Sequence, residues 1–446
     1  MEQQRDDAVI GSTRDIRLAV VGAGMRGHAY ASGAAGIPGV EIVAVAEPNP
    51  TTVARFTRGF PGAQVFGDWR ELAAQPRLAD AVIVTLPDQE HRDASVAFAE
   101  AGYDILLEKP IATSPEDCDD IEAAASSNNV SVTVCHVLRY TSYTQKLREL
   151  LDSGAIGEIM QIEHLEPVGH LHFAHSFVRG NWRQSATSHG LLLAKSCHDI
   201  DWLLYIMGRP VQRVTSFGSL GYFRPESRPA GASDRCVTCP VESSCAFSAV
   251  RFYRRGLDNP GSAEEYNALV MAGEVTPEAI DRALETGPWG RCAYLCDNDV
   301  VDHQTVQLEF TDGRLASFTL SAFTEGTNRK TRLFGTAGQI TGDGRMISVY
   351  DFRTLQTTVY DTDELGFDAA AGHGGGDLRL IEAFISALRT ASPEQLSTSI
   401  AQSMASHRVV FAAEEARRTG TIVSLPAAPA SRRTSGADRR GRGRAL

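Results

Sequence analysis

The chain has 446 residues, 43% of them hydrophobic and 22% charged, with a formal net charge of −12. These are globular values, and the length suits two domains of about 150–250 residues each. The acidic balance speaks against nucleic acid as the main partner, no apolar run reaches the roughly 18 residues of a membrane span, and the polar start lacks the apolar core of a signal peptide. A cytoplasmic protein is the expectation, in which the eight cysteines are thiols or metal ligands rather than disulfides.

Residues 1–14 read as a disordered lead. From residue 15 to 138, short apolar runs alternate with helical stretches. The runs are Ile16–Val21, Val40–Ala46, Ala81–Leu86, Asp104–Leu107 and Val130–Val134, and the helical stretches include Thr51–Thr57 and His91–Ala101. Repeated β-α-β of this kind predicts a doubly wound parallel sheet of Rossmann type. Tyr143–Gly154 reads as an amphipathic helix. Over 139–426 the pattern then changes to longer alternating strands at Val211–Phe217, Thr305–Phe310, Leu315–Ala322 and Lys330–Phe334, with Thr311-Asp312-Gly313 as a hairpin turn. This predicts a second, α+β domain with a mostly antiparallel open sheet. Within it, residues of about 220–304 form an irregular insert containing Cys, Pro and Gly. Helices are expected at Asp377–Thr390 and Pro393–Thr419. Residues 427–446 offer almost nothing to bury, carry six arginines against one aspartate, and read as a disordered tail.

Gly22-Ala23-Gly24-Met25-Arg26-Gly27 fits G-x-G-x-x-G directly after the first apolar run and at the opening of a helix. The first glycine permits a tight turn, the second lets the backbone approach a pyrophosphate, and the third lets helix pack on strand. The phosphates then lie at a helix N-terminus, where free N–H groups and the helix dipole favour an anion. Met25 and Arg26 belong to the same loop. Glu47 follows at the end of the second run, where a carboxylate accepts hydrogen bonds from the adenosine ribose and repels a 2′-phosphate. NAD is therefore favoured over NADP. Lys109 ends another apolar run at the carboxyl edge of the sheet, where ligands of such folds bind. Desolvated beside an oxidised nicotinamide, its charged form is disfavoured, which suits a group that exchanges a proton with a hydroxyl.

Val20–Gly27, Thr85-Leu86-Pro87 with His91, and Glu108-Lys109-Pro110 together resemble the glucose-fructose oxidoreductase / inositol dehydrogenase / MocA family, over about residues 15–425. The resemblance implies that Leu86, Pro87, His91, Glu108 and Lys109 border the cofactor. It also implies that the second domain carries the substrate site, acts on an alcohol of a sugar or polyol, and often forms a homodimer or homotetramer. Lys195-Ser196-Cys197-His198-Asp199-Ile200-Asp201 resembles the family helix with a substrate-binding histidine, matched by His198, and an aspartate three residues on, matched by Asp201. Many polyol dehydrogenases of the family carry a further aspartate four residues before that histidine. Here the position is Ala194, beside Lys195. Two lysines and a histidine in the site suit a more anionic substrate, while Lys195 extended along the surface is the ordinary alternative. Arg139-Tyr140 and Asn181-Trp182-Arg183 are expected to line the cleft. His170, His172 and His175 read as cleft or surface histidines, because no carboxylate or thiol completes a zinc set with them.

Cys236, Cys239 and Cys245, with Cys292 or Cys296, have the composition of a four-thiolate structural zinc site, with Cys292 preferred. An iron–sulfur cluster and free thiols are the alternatives. Cys118, Cys135 and Cys197 read as small buried hydrophobes. The combined expectation is an NAD-dependent oxidoreductase of a sugar-like or cyclitol-like secondary alcohol. Lys109 is its acid/base, His198 orients or shares the proton, and Lys195 assists. A redox-neutral, NAD-dependent glycoside-cleaving enzyme and a non-catalytic NAD-sensing regulator are the other readings.

Overall fold

The computed structural model describes residues 14–326, 328–363 and 375–426. Almost all of the expected N-terminal lead, and the whole of the Arg-rich tail, lie outside these residues. Among the described residues no helix is long and apolar enough to cross a membrane.

The first sheet consists of β1 (Ile16–Val21), β2 (Val40–Ala46), β3 (Gln64–Phe66), β4 (Ala81–Val84), β5 (Asp104–Leu107) and β6 (Val132–Val134), in the order β3-β2-β1-β4-β5-β6. All its pairings are parallel. In β1 every residue but Arg17 is buried, as a central strand covered on both faces requires. The carboxyl ends of β1, β4 and β5 lie side by side at the point where the strand order reverses, which is where such sheets take their ligands.

The second sheet holds nine strands: β7 (Ile159–Pro167), β8 (Val211–Ser219), β9 (His303–Phe310), β10 (Leu315–Ser321), β11 (Lys330–Gly335), β12 (Gly338–Gly342), β13 (Met346–Asp351), β14 (Gln356–Asp361) and β15 (Val423–Ser424). Their order is β14-β13-β12-β11-β7-β10-β9-β8-β15, and only β7 and β10 run parallel. The outer residues of β9 and β10 alternate with a buried row of Val306, Leu308, Phe310, Ala316, Phe318 and Leu320. The hairpin between them turns at Gly313, whose φ of +82° an L side chain adopts only with strain. The buried face packs against the Leu191–Met207 helix, which carries the second site motif.

Two departures from the sequence expectation matter for the site. The C-terminal helix Gly376–Thr390 belongs to the first core, because Leu380, Ile381, Phe384, Ile385 and Leu388 pack with Ile16, Leu18 and Val20 of β1. The insert is not irregular but largely helical, with helices Ala249–Asp258, Ala263–Ala272 and Pro277–Thr286 around a small core of Phe252, Tyr253, Ala268, Met271, Ile280 and Leu284. Each of these helices starts at a side-chain cap: Ser248 accepts from Arg251 N–H, Ser262 from Glu265 N–H and Thr276 from Ala279 N–H.

The packing of the Gly376–Thr390 helix gives a specific expectation. Phe384→Ala, at a position 1% exposed, should cost about 3–5 kcal/mol. Hydrogen exchange should rise first in β1 and β4, with β9 and β10 still protected. Loosening of the second sheet instead would show that this helix serves the other core.

Candidate active site

The glycine loop has the shape that a dinucleotide needs. Gly22 has φ +84°, and a Cβ there would lie 2.6 Å from the Thr85 carbonyl oxygen. A Cβ on Gly27 would lie 2.0 Å from the Gly22 carbonyl oxygen, so the third glycine is required for helix to meet strand. A Cβ on Gly24 meets nothing within 4 Å, which leaves open space over the start of the Met25–Ala35 helix. That open, donor-rich position fits a pyrophosphate. Glu47 closes one side of the loop. Its Oε2 accepts from Ala23 N–H at 2.9 Å and its Oε1 from Asn49 N–H at 2.9 Å, which leaves further lone pairs for a ribose.

Glu108 is buried under the loop. Its Oε1 accepts from Arg26 Nε at 2.5 Å and from the Tyr30 hydroxyl at 3.2 Å, while its Oε2 accepts from Lys109 N–H at 2.5 Å. Burial alone would raise its pKa, yet the charges of Arg26 and Lys109 hold it below the ordinary carboxylate value. Arg26 also reaches Asp377 Oδ1 at 2.6 Å and lies over the Tyr30 ring. Arg26 and Glu108 are therefore internal braces of the loop. His91 is likewise fully buried, with ring nitrogens 2.7 Å from the Pro110 carbonyl oxygen and 2.9 Å from that of Leu86. It holds the ends of β4 and β5 together from beneath, and Leu86 and Pro87 lie at the rim above.

Lys109 projects from the end of β5 to the Leu191–Met207 helix, where Nζ donates to the Ala194 carbonyl at 2.7 Å. The position at which related dehydrogenases carry an aspartate thus meets the lysine through its backbone. His198 lies one turn further along, 4% exposed, edge-on to His136 with ring centroids 5.8 Å apart. Asp201 makes a two-pronged pair with Arg139, both bonds at 2.7 Å, and lies 3.7 Å from His136 Nε2. Burial would raise Asp201, but His136 and Arg139 keep it low. Arg139 therefore does not line the cleft as expected from sequence, and Tyr140 turns its hydroxyl to Thr398 at 3.1 Å. Arg183 is also committed, gripping Asp297 at 2.9 and 3.1 Å.

Lys195 lies 3.4 Å from Glu166 Oε1 at the end of β7. Arg329 pairs with the other oxygen of Glu166 at 3.2 Å and also with Asp199, which His164 contacts at 3.1 Å. Two cations and two carboxylates share this corner. The expectation that Lys195 favours an anionic substrate is therefore corrected, because Glu166 neutralises it. His172, expected as a cleft or surface histidine, lies where the charges of Lys195 and Lys109 reach it. Burial first, and then these charges, lower its pKa to about 3. His175 bonds Tyr253 and stacks on Trp289, so it is a packing residue. Of the residues missed, His136 follows β6 at the productive edge of the sheet and was accessible to the strand-end rule. Glu166 and Arg329 carry no local signal.

Cys236, Cys239, Cys245 and Cys292 line one pocket with Arg179, and Cys296 does not. Among the described residues, however, no group of three or more His, Cys, Asp or Glu is arranged to hold a metal ion. The zinc site expected from the spacing finds no ligand geometry, nor does the iron–sulfur alternative. No disulfide joins the cysteines, and burial raises the thiols of Cys245, Cys292 and Cys296 above the ordinary value. The insert is braced by other means. Arg179 donates to the carbonyls of Arg291 and Phe247 at 2.8 and 2.9 Å, and Arg235 to those of Leu284 and Gly287 at 2.7 and 2.6 Å.

The second and third glycines of the loop should separate fold from binding. Gly24→Ala should melt as the parent does but bind NAD at least about tenfold more weakly, a loss of roughly 1.4 kcal/mol. Gly27→Ala should lose both stability and binding. Equal NAD affinity in Gly24→Ala, measured by NADH fluorescence titration, would remove the loop from the cofactor site.

Comparison with known proteins agrees with this geometry. Residues 16–136 match the oxidoreductase family's NAD-binding Rossmann fold, and residues 148–425 match its C-terminal alpha/beta domain. The oxidoreductase YteT of Bacillus subtilis is 24% identical over 363 residues, covering 77% of this chain and 81% of YteT. The scyllo-inositol 2-dehydrogenase (NADP(+)) IolW of Bacillus subtilis is 27% identical over 154 residues, 34% of this chain and 41% of IolW. In fold, the chain is similar to levoglucosan dehydrogenase in complex with NADH and levoglucosan, with TM-score 0.66 and 18% identity, covering 93% of this chain and 100% of that one. It is also similar to an oxidoreductase from Agrobacterium radiobacter in complex with NAD+, L-tartaric acid and magnesium, with TM-score 0.67 and 17% identity, covering 92% and 98%. With both domain types matched in tandem along the described chain, the protein belongs to the Gfo/Idh/MocA family of NAD-binding oxidoreductases.

Proposed function

We propose that the protein is an NAD-dependent dehydrogenase that interconverts a secondary alcohol and a ketone on a sugar-like or cyclitol-like molecule. The observation that carries this reading is the placement of Lys109, at the carboxyl edge of β5 and directed across the cleft to the Ala194 carbonyl. Bound NAD supplies the hydride acceptor. The chain's own residues do the rest. The backbone around Gly24 holds the phosphates, Glu47 receives the ribose hydroxyls, and Lys109 takes the hydroxyl proton as the carbonyl forms, or returns it in the reverse direction. His198 and His172 orient the substrate hydroxyls, and Lys195 stands behind them, held by Glu166. The inositol and levoglucosan dehydrogenases among the similar proteins support the substrate class. Phe217 and Leu315, exposed on the outer face of the second sheet, favour assembly of copies through that face.

Two measurements test the reading. Purified protein with NAD and a panel of sugars, uronates and inositols should yield NADH with at least one substrate. In Lys109→Ala, kcat should fall about 10²–10⁴-fold while NAD affinity stays close to the parent value. Unchanged kcat would exclude Lys109 as the acid/base, and product without net NADH would favour the redox-neutral reading. Glu47→Ser should weaken NAD by about tenfold and leave NADP no longer discriminated against. A preference for NADP in the parent protein would overturn the role of Glu47.

A further inference from the structure

Outside the dinucleotide cleft, an open pocket of about 250 Å³ lies between the second domain and the insert, lined by His170, Leu171, Ala246, Arg251, Phe252 and Arg255. Arg251 and Arg255 are one turn apart on the Ala249–Asp258 helix, and both are exposed. Like charges at this spacing repel and weaken a helix. Their treatment by the rest of the protein differs. Arg254, between them in sequence, is paired with Asp281 at 2.8 Å. Arg251 is fixed by the carbonyls of Ser243, at 3.2 Å, and Cys245. These are neutral partners that orient the guanidinium without cancelling its charge. Among the described residues Arg255 has no ion-pair partner. No carboxylate lines the pocket, in a chain whose net charge is −12. His170 contributes a ring whose Nδ1 faces the Thr324 carbonyl oxygen at 3.2 Å, which leaves the other nitrogen uncommitted to it.

We propose that this pocket is an oxyanion subsite, taking the phosphate or carboxylate of a sugar-derived ligand. A planar guanidinium held in place, a second one with no partner and an apolar floor of Leu171 and Phe252 are what such a group requires. The proposal rests on and deepens the dehydrogenase reading, because His170 and Leu171, which line the pocket, share the short helix His170–Phe173 with His172. His172 on that turn feels Lys109 and Lys195. The positive recognition that Lys195 does not supply, being paired, is supplied from the insert.

The test is calorimetric titration of the full chain, saturated with NAD, with inorganic phosphate and then pyrophosphate at low ionic strength. The expected result is saturable binding of one anion per chain. It should weaken at least about tenfold in Arg255→Glu and persist in Arg254→Glu, which reverses a charge on the same helix away from the pocket. No saturable binding in the parent protein, or equal affinity in Arg255→Glu, would overturn the proposal. NAD binding is followed in the same samples, so its failure would count against the dehydrogenase reading and not against the subsite. Once a substrate is known, competition separates two sources of the anion. Phosphate that raises KM alone occupies the place of a substrate group, whereas phosphate that alters kcat acts as a separate effector at the same pocket.

Discussion

A carboxylate without water must find donors, and Glu108 finds them in distant parts of the chain. Arg26 and Tyr30 come from the first helix, the Lys109 N–H from its own loop, and through Arg26 the cluster reaches Asp377 on the C-terminal helix. A buried charge left unpaired costs several kcal/mol, on the order of 3–5, so these groups fold together or not at all. The glycine loop, the end of β5 and the Gly376–Thr390 helix are thereby fixed relative to one another. The glycine loop and Lys109 depend on the same braced unit. The helix that packs against β1 belongs to the site's support although it lies more than 200 residues beyond the first sheet.

The Leu191–Met207 helix does the corresponding work on the other side of the cleft. Asp199 and Asp201, two residues apart, point to different partners. Asp199 is held by Arg329 and His164 beside the second sheet, and Asp201 by Arg139 and His136 beside the first. With Lys195 held by Glu166, the corner's charges are matched in pairs. Lys109 differs, since its side chain rests on a neutral carbonyl.

Much of this was legible in the sequence. The strands of the first sheet announce themselves as short Val- and Ile-rich runs, and the three glycines fall at spacings whose steric reasons the structure bears out at Gly22 and Gly27. The strand ends also placed Lys109 and Glu47. What stayed hidden depends on contacts between distant residues. Glu166 and Arg329 are 163 positions apart in the numbering, and no local pattern joins them. Lys195, read alone, looked like an added charge in the site. β14 carries no alternation to read, being largely exposed, and β12 and β13 are only five and six residues long. The insert's Cys, Pro and Gly mask its helix starts, such as Ser262 with Glu265 three residues on. Thiol spacing suggested a metal staple. Helix caps, buried arginines and a small apolar core order the insert.

The imidazoles near Lys109 sharpen its role. Burial is the first cause that lowers His136 to about 4, His407 to about 3 and His172 to about 3. His407 is held by its surroundings as well, accepting from Ile111 N–H at 2.9 Å while its other nitrogen faces the Ser403 carbonyl oxygen. With their pKa values lowered this far, the rings are uncharged at neutral pH. Had they been charged, they would have repelled both Lys109 and the positive ring of an oxidised nicotinamide. The cleft is thus built to keep its histidines neutral and its acids paired. Lys109 enters this cleft on a neutral partner, the Ala194 carbonyl.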